Sequence, residues 1–369
     1  MPVDHLSVLT PLDQEFLREI LLQAMADYSQ IMHVPLQALS RYTQSELAIL
    51  SRISYDYLIR GCSTTDEKRE KVTQIEVRNI AEGIAREYQF LTDYRYSESK
   101  KGLSSNSDLS FSIEMIVTRM IGFVAPLATK NPPSSLMPDL FEKFFSQALG
   151  LLKMLNLNLA AQAYSIWRTL HEAECVIKLL VEGGKELQDV YYRHMIYNNA
   201  FHHVLPSKEE TDALFVEIKA NMAKHGLKSK DMKKYIEYGW LYGCKTFRED
   251  DVNYKLNFRN GLQLAADLGQ YNEMYEMASE VAHSSPFFFY SNTSFYEDLT
   301  IYNLTDIVIR GIDYLSQWKE EAKVPLDGFD SFQDVFVRYL KKQNKAVDEN
   351  FYTKYKDFIV EEDDPGDGK

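Results

Sequence analysis

The chain has 369 residues, 45% of them hydrophobic, enough for two ordinary domains or one large helical one. Its net charge of −13 at pH 7 excludes a surface that grips nucleic acid or an anionic membrane throughout, because both require clustered Lys and Arg. A local basic groove stays compatible with that balance, and the three scattered cysteines, Cys62, Cys175 and Cys244, form no C-x-x-C pair. The cysteine pattern points to neither a zinc site nor a disulfide frame and suits a reducing, cytoplasmic setting. No cofactor or metal is expected. The first residues lack a basic region followed by an apolar run, so no signal peptide is expected. No stretch reaches the roughly 18 apolar residues of a membrane span.

Taken in chain order, the segments carry helical rather than alternating periodicity. Around "PLDQEFLREILLQAMADYSQIM", Phe16, Ile20 and Met25 share a face, and Pro11 suits a helix start. "TQSELAILSRISYDYLIRG" opens with Thr43 and Glu46 at capping-box spacing and stops at Gly61. The next helix carries Val72, Ile75, Ile80, Ile84 and Tyr88 as its apolar stripe. The polar segment 97–108 reads as a loop, followed by a short helix near Leu109–Val124. A helix-turn-helix in this N-terminal third is disfavoured, since its recognition segment is poor in Lys and Arg. A helical arm that packs on the bundle or dimerises it fits better.

Three prolines in "TKNPPSSLMPD" (Thr129–Asp139) interrupt helix and mark the clearest boundary. Beyond it lie seven further helical segments, then two C-terminal ones, "SFQDVFVRYLKKQNKA" and "ENFYTKYKDFIV". The acidic, apolar-free tail 361–369 is expected to be disordered. β-branched runs between helices are missing, so the expected class is all-α, an antiparallel multi-helix bundle. Its expected divisions are an N-terminal helical region 1–128, a Pro-rich linker 129–138, a bundle domain 139–322, C-terminal helices 323–360 and the tail.

Two helices carry the chemistry. In "AYSIWRTLHEAECVIKLL" (Ala163–Leu180), Arg168 and Glu172 sit four apart in an otherwise apolar run. Residues four apart stack on a helix, so the two can pair. Such a pair either fixes helix register or lets Arg168 hold a phosphate or carboxylate in a cavity. In "YEMASEVAHSSP", Tyr275, Ser279 and His283 follow at i, i+4 and i+8, with His283 in the last turn before Pro286. That histidine is either a C-terminal cap or an acid–base group. Because Arg168 has more donors than Glu172 can accept, the two helices are expected to pack face to face, with Arg168, Glu172, Ser279 and His283 in one buried polar network.

Together these motifs resemble a bacterial all-helical family of unknown function with R-[ST]-L-x-E and Y-x-x-x-S-x-x-x-H-x-S helices. The resemblance covers roughly Asp139–Leu315 and rests on Arg168, Leu170, Glu172, Tyr275, Ser279 and His283. Such families are distantly similar to HEPN-type bundles, whose nucleases carry R-x(4–6)-H on one helix. Here Arg168 precedes His171 by three and Arg193 precedes His202 by nine, so a nuclease site would have to be assembled from two helices.

Outside the motifs, "VYYRHMIYNNAFHHV" (Val190–Val204) is core or a stacking surface for a base, with His194, His202 and His203 at no metal-ligand spacing. Phe287, Phe288, Phe289 and Tyr290 either plug the core or form a partner patch, and the lysines of Lys224–Tyr235 form a solvated face or, less favoured, contact a phosphate backbone. Two functions compete. The resemblance implies a metal-independent, ribonuclease-like effector in bacterial defence, with Arg168 on the phosphate, His283 moving the proton, Glu172 orienting the arginine and Tyr275 or Ser279 assisting. The alternative is a non-catalytic helical sensor or scaffold. The expected partners are RNA or a nucleotide, a second copy of the chain or another protein, and no membrane.

Overall fold

The computed structural model describes residues 11–58, 74–102, 107–202, 204, 207–283 and 293–355. Cys62, Gly61, Val72, His203, Phe287–Tyr290 and the acidic tail lie outside them. The described residues contain helices and no strand, an all-α bundle.

Two compact units divide the chain at residues 100 and 101. The first holds α1 (Pro11–Ile31), α2 (Arg41–Leu58) and α3 (Gln74–Gly102). Leu17, Ile20, Ala24, Leu47, Tyr55, Ala81 and Ile84 form its core, and Tyr28 meets Tyr88 edge to face at 4.8 Å. The start of α2 differs from the capping-box reading. Ser40 caps it, accepting from the Thr43 amide at 3.1 Å, so the helix begins two residues before Thr43. The expected loop 97–108 is also corrected: α3 continues to Gly102 and the next helix begins at Ser107. Glu and Lys in "SESKKG" are adequate helix formers, so polarity alone was a poor loop signal.

The second unit holds α4 (Ser107–Val124), α5 (Leu136–Asn156), α6 (Ala160–Phe201), α7 (Lys208–Lys224), α8 (Met232–Tyr238), α9 (Asn272–Ala282), α10 (Thr293–Glu321) and α11 (Phe329–Tyr355). The Pro-rich segment joins α4 to α5, which pack on each other within this unit, so the break between units falls earlier in the chain than the prolines. α11 is one helix where two were expected.

α6 is central: α5, α7, α8, α9 and α10 all pack against it. The short α5–α6 turn places Asn158 at φ +59°, a left-handed position that Asn tolerates. Trp167, Tyr164, Leu170 and Ile177 of α6 are buried with Phe141, Phe144 and Phe145 of α5. Gly311 of α10 lets the two helices approach, since a Cβ there would lie 2.3 Å from the Phe144 ring.

α6 is not straight. Gly184 has φ +61° and ψ −160°, a conformation essentially reserved for glycine, and it separates arms 160–183 and 185–201. In a straight helix Thr169 and His202 would stand roughly 50 Å apart. Here both line one cavity, so the arms fold toward each other. Gln188 Nε2 donates to the Leu180 carbonyl across the bend at 3.1 Å. The first arm packs into the main core, while Tyr197 of the second joins Ile218, Met222, Tyr235 and Ile236 in a satellite core with α7 and α8.

A Cβ at Gly184 would be strained and would meet Glu321 Oε1 at 2.8 Å. Gly184→Ala should therefore cost about 1–3 kcal/mol in urea denaturation. Gly150→Ala, at an exposed helical site with nothing within 4 Å, should be neutral or stabilise by up to about 1 kcal/mol. Equal midpoints for Gly184→Ala and wild type would contradict the strained elbow.

Candidate functional site

α6 and α9 pack together and bring the two motifs into contact. Arg168 Nε donates to Glu172 Oε1 at 3.2 Å, and Arg168 NH1 donates to Ser279 Oγ at 3.1 Å. Tyr275 OH donates to the same Glu172 oxygen at 2.6 Å, and the guanidinium lies over the Tyr275 ring at 4.9 Å. Burial works against the Arg168 charge, but its contacts with Tyr275 and Glu172 outweigh that and raise its pKa. Burial, then the carboxylate of Glu172, pushes the Tyr275 phenol well above its ordinary value, so it is a hydrogen-bond donor at neutral pH.

Two features depart from the expected network. The Arg168 and Glu172 side chains are 30% and 37% exposed, so the cluster lies at the surface of the bundle rather than in its interior. His283 is exposed and hydrogen-bonds to none of Arg168, Glu172, Tyr275 or Ser279. It is the C-cap residue of α9, its backbone N–H donating to the Ser279 carbonyl at 3.1 Å. Eight helical residues also rotate about 80° past whole turns, which carries His283 off the Tyr275–Ser279 line.

The buried polar network lies on the other side of α6. His171 Nδ1 and Glu174 Oε2 are 2.8 Å apart and both side chains are fully buried. Arg310 of α10 donates to Glu174 Oε1 from Nε at 2.5 Å and to Oε2 from NH2 at 3.2 Å, and it also pairs with Asp306 and the Tyr271 hydroxyl. Tyr271 OH donates to Asp306 Oδ2 at 2.6 Å. Gln263 approaches His171 Nε2 at 3.0 Å, and Trp167 stacks on the His171 ring at 5.1 Å. Burial alone would raise the Glu174 carboxyl; the His171 hydrogen bond and the Arg310 charge overcome it and hold it below the usual range. These residues were missed in the sequence, although "DIVIRGIDYL" offered the signal used for Arg168, a charge inside an apolar run.

Glu172 also lines the cavity in the α6 elbow, whose volume is about 470 Å³. Tyr191, Trp240 and Phe258 supply aromatic wall, with Tyr191 and Trp240 edge to face at 5.0 Å. Phe258 stacks on Tyr275 at 4.3 Å, which connects the wall to the Arg168 cluster. The aromatic stretch 190–204 thus lines the cavity through Tyr191, His194, Asn198 and His202. Arg193, in the same stretch, is engaged by Glu217. His194 is buried against the Ile236 carbonyl, and desolvation lowers its pKa to about 4. Among the described residues no cluster of His, Cys, Asp and Glu could hold a metal ion, and no helix is long and apolar enough to cross a membrane.

Residues 139–298 match the model of a family of unknown function, DUF5677. The match is to less than half of the chain and takes in both motif helices, α6 and α9. No curated protein and no solved structure matches the chain.

Two stability predictions separate the clusters. Arg310→Ala strands the buried Glu174 charge and should cost about 3–5 kcal/mol. Arg168→Ala breaks a partly exposed pair and should cost about 1 kcal/mol. Chemical denaturation of both variants checks the order, and a larger loss for Arg168→Ala would reverse the assignment.

His194 adds a pH dependence. Its pKa falls from 6.5 in the unfolded chain to about 4 in the fold, so on acidification the unfolded state takes up the proton first. Its contribution is complete above pH 6.5 and is lost by about 4, a change of about 3 kcal/mol. The difference in unfolding free energy between wild type and His194→Gln should shrink across that window; a difference independent of pH would contradict a buried neutral imidazole.

Proposed function

We propose that this chain is a non-catalytic helical sensor whose α6 elbow binds a small planar ligand of the nucleobase or nucleotide class. The observation that carries this reading is the cavity of about 470 Å³, walled by Tyr191, Trp240 and Phe258 with Glu172 on its lining. Ligand pockets typically span about 300–1,000 Å³, so the space suits one small molecule. Aromatic walls favour a flat π-system. Glu172 Oε1 is occupied by Arg168 and Tyr275, and Oε2 has no partner among the described residues, leaving an acceptor for a ring N–H edge.

The ribonuclease-like reading needs a proton-moving group beside Arg168. His283 was to supply it and stands outside the cluster, while Tyr275 is held protonated and Glu172 is tied to Arg168. With no such group beside Arg168 among the described residues, the cluster suits binding rather than cleavage.

A panel of nucleosides and nucleotides tests it by thermal shift and calorimetry. A ligand at about 100 times its Kd should stabilise the fold by about 2.7 kcal/mol. Glu172→Gln should weaken that ligand roughly tenfold or more, the scale of one lost charge-assisted hydrogen bond. If no member of the panel shifts the melt, the reading fails. RNA cleavage by wild type that disappears in His283→Ala would restore the enzyme reading.

A further inference from the structure

The charges around the cavity do not balance. Glu172 is paired with Arg168 at 3.2 Å and Glu237 with Lys233 at 3.8 Å, so each lining carboxylate already has a cation. Lys143 also lines the cavity, is exposed, and has no carboxylate partner among the described residues. Its neighbour Glu142 is engaged by Lys130. Lys143, on α5, is therefore the one charged lining residue with no opposite charge paired to it among the described residues.

A second feature lies on the same face of α5. Gln147 is one turn beyond Lys143, lines the same cavity, and its buried Oε1 has no hydrogen-bond partner among the described residues. An unpaired buried amide oxygen is costly, and rotation of the Gln147 amide toward the cavity would let a ligand hydroxyl satisfy it. His202, from the end of the second arm, adds an imidazole to the lining.

We propose that the elbow takes its ligand as an anion: a nucleoside monophosphate whose phosphate meets Lys143, whose sugar hydroxyl meets Gln147 and whose base edge meets Glu172. This rests on the reading of the elbow as a nucleobase-class site and adds the recognition of charge. An ammonium is a compact point charge suited to phosphate. The single positive charge favours one phosphate over a long polyanion, in keeping with the acidic balance of the whole chain.

The test is calorimetry with a nucleoside and its 5′-monophosphate at low salt. Wild type should bind the monophosphate roughly tenfold or more tightly, and added salt should narrow the gap. Lys143→Gln should erase the gap while leaving nucleoside affinity unchanged, and Lys143→Arg should keep most of it. Lys143 is exposed, so coincident melting curves will confirm that the variants fold. Equal affinities in wild type, or a gap that survives in Lys143→Gln, would overturn the anionic assignment while the nucleobase-class reading stands. If neither compound binds wild type, that reading falls and takes this proposal with it.

Discussion

The backbone reversal at Gly184 is the constraint on which the site depends. α6 spans Ala160–Phe201, and as one rod it would be roughly 60 Å long, with its two ends in unrelated surroundings. At φ +61° and ψ −160° the chain instead turns back, a geometry that any Cβ would oppose. One arm then packs with α5, α9 and α10 in the main core, and the other packs with α7 and α8 in the satellite core. The cavity is the space that these two packings leave between them. Its walls come from both arms, with α5, α8 and the segment between α8 and α9 completing them, so its shape depends on the bend.

The first arm also shows how one helix keeps a buried and a surface charge cluster apart. Arg168 and Glu172 stack four residues apart on a partly exposed line facing α9. His171 and Glu174 point into the core, where Arg310 neutralises the carboxylate. The charged groups of the buried cluster are all paired, the cluster ties α6 to α10, and it is expensive to break. The exposed cluster contributes little to stability by comparison, yet it reaches the cavity through Glu172 and through the Tyr275–Phe258 stack.

Much of this was legible in the sequence. Helical periodicity gave the all-α class, and the excess of donors on Arg168 pointed to a partner helix carrying Ser279 and Tyr275, which the structure places within hydrogen-bonding distance of the pair. The failures have physical causes. Spacing of eight was treated as one line, although drift of the α-helical repeat takes His283 away from it. Arg310 and Glu174 are far apart in sequence, and neither partner announces the other across that distance. The cavity was illegible because it depends on how two arms pack, and a Gly-Gly pair marks a break in a helix without giving the angle of the turn. Polar composition at 97–108 does not by itself mark a loop, because solvated helices are polar as well.

The location of the bound ligand is the central claim, and Trp240 offers a direct reporter of it. Of the three tryptophans, Trp240 lines the cavity, whereas Trp167 and Trp318 pack in the core away from its lining. Titration of a nucleotide while following tryptophan fluorescence should give a saturable change that disappears in Trp240→Phe, with binding still detected by calorimetry. A fluorescence change of the same size in Trp240→Phe would place the ligand elsewhere and contradict the account.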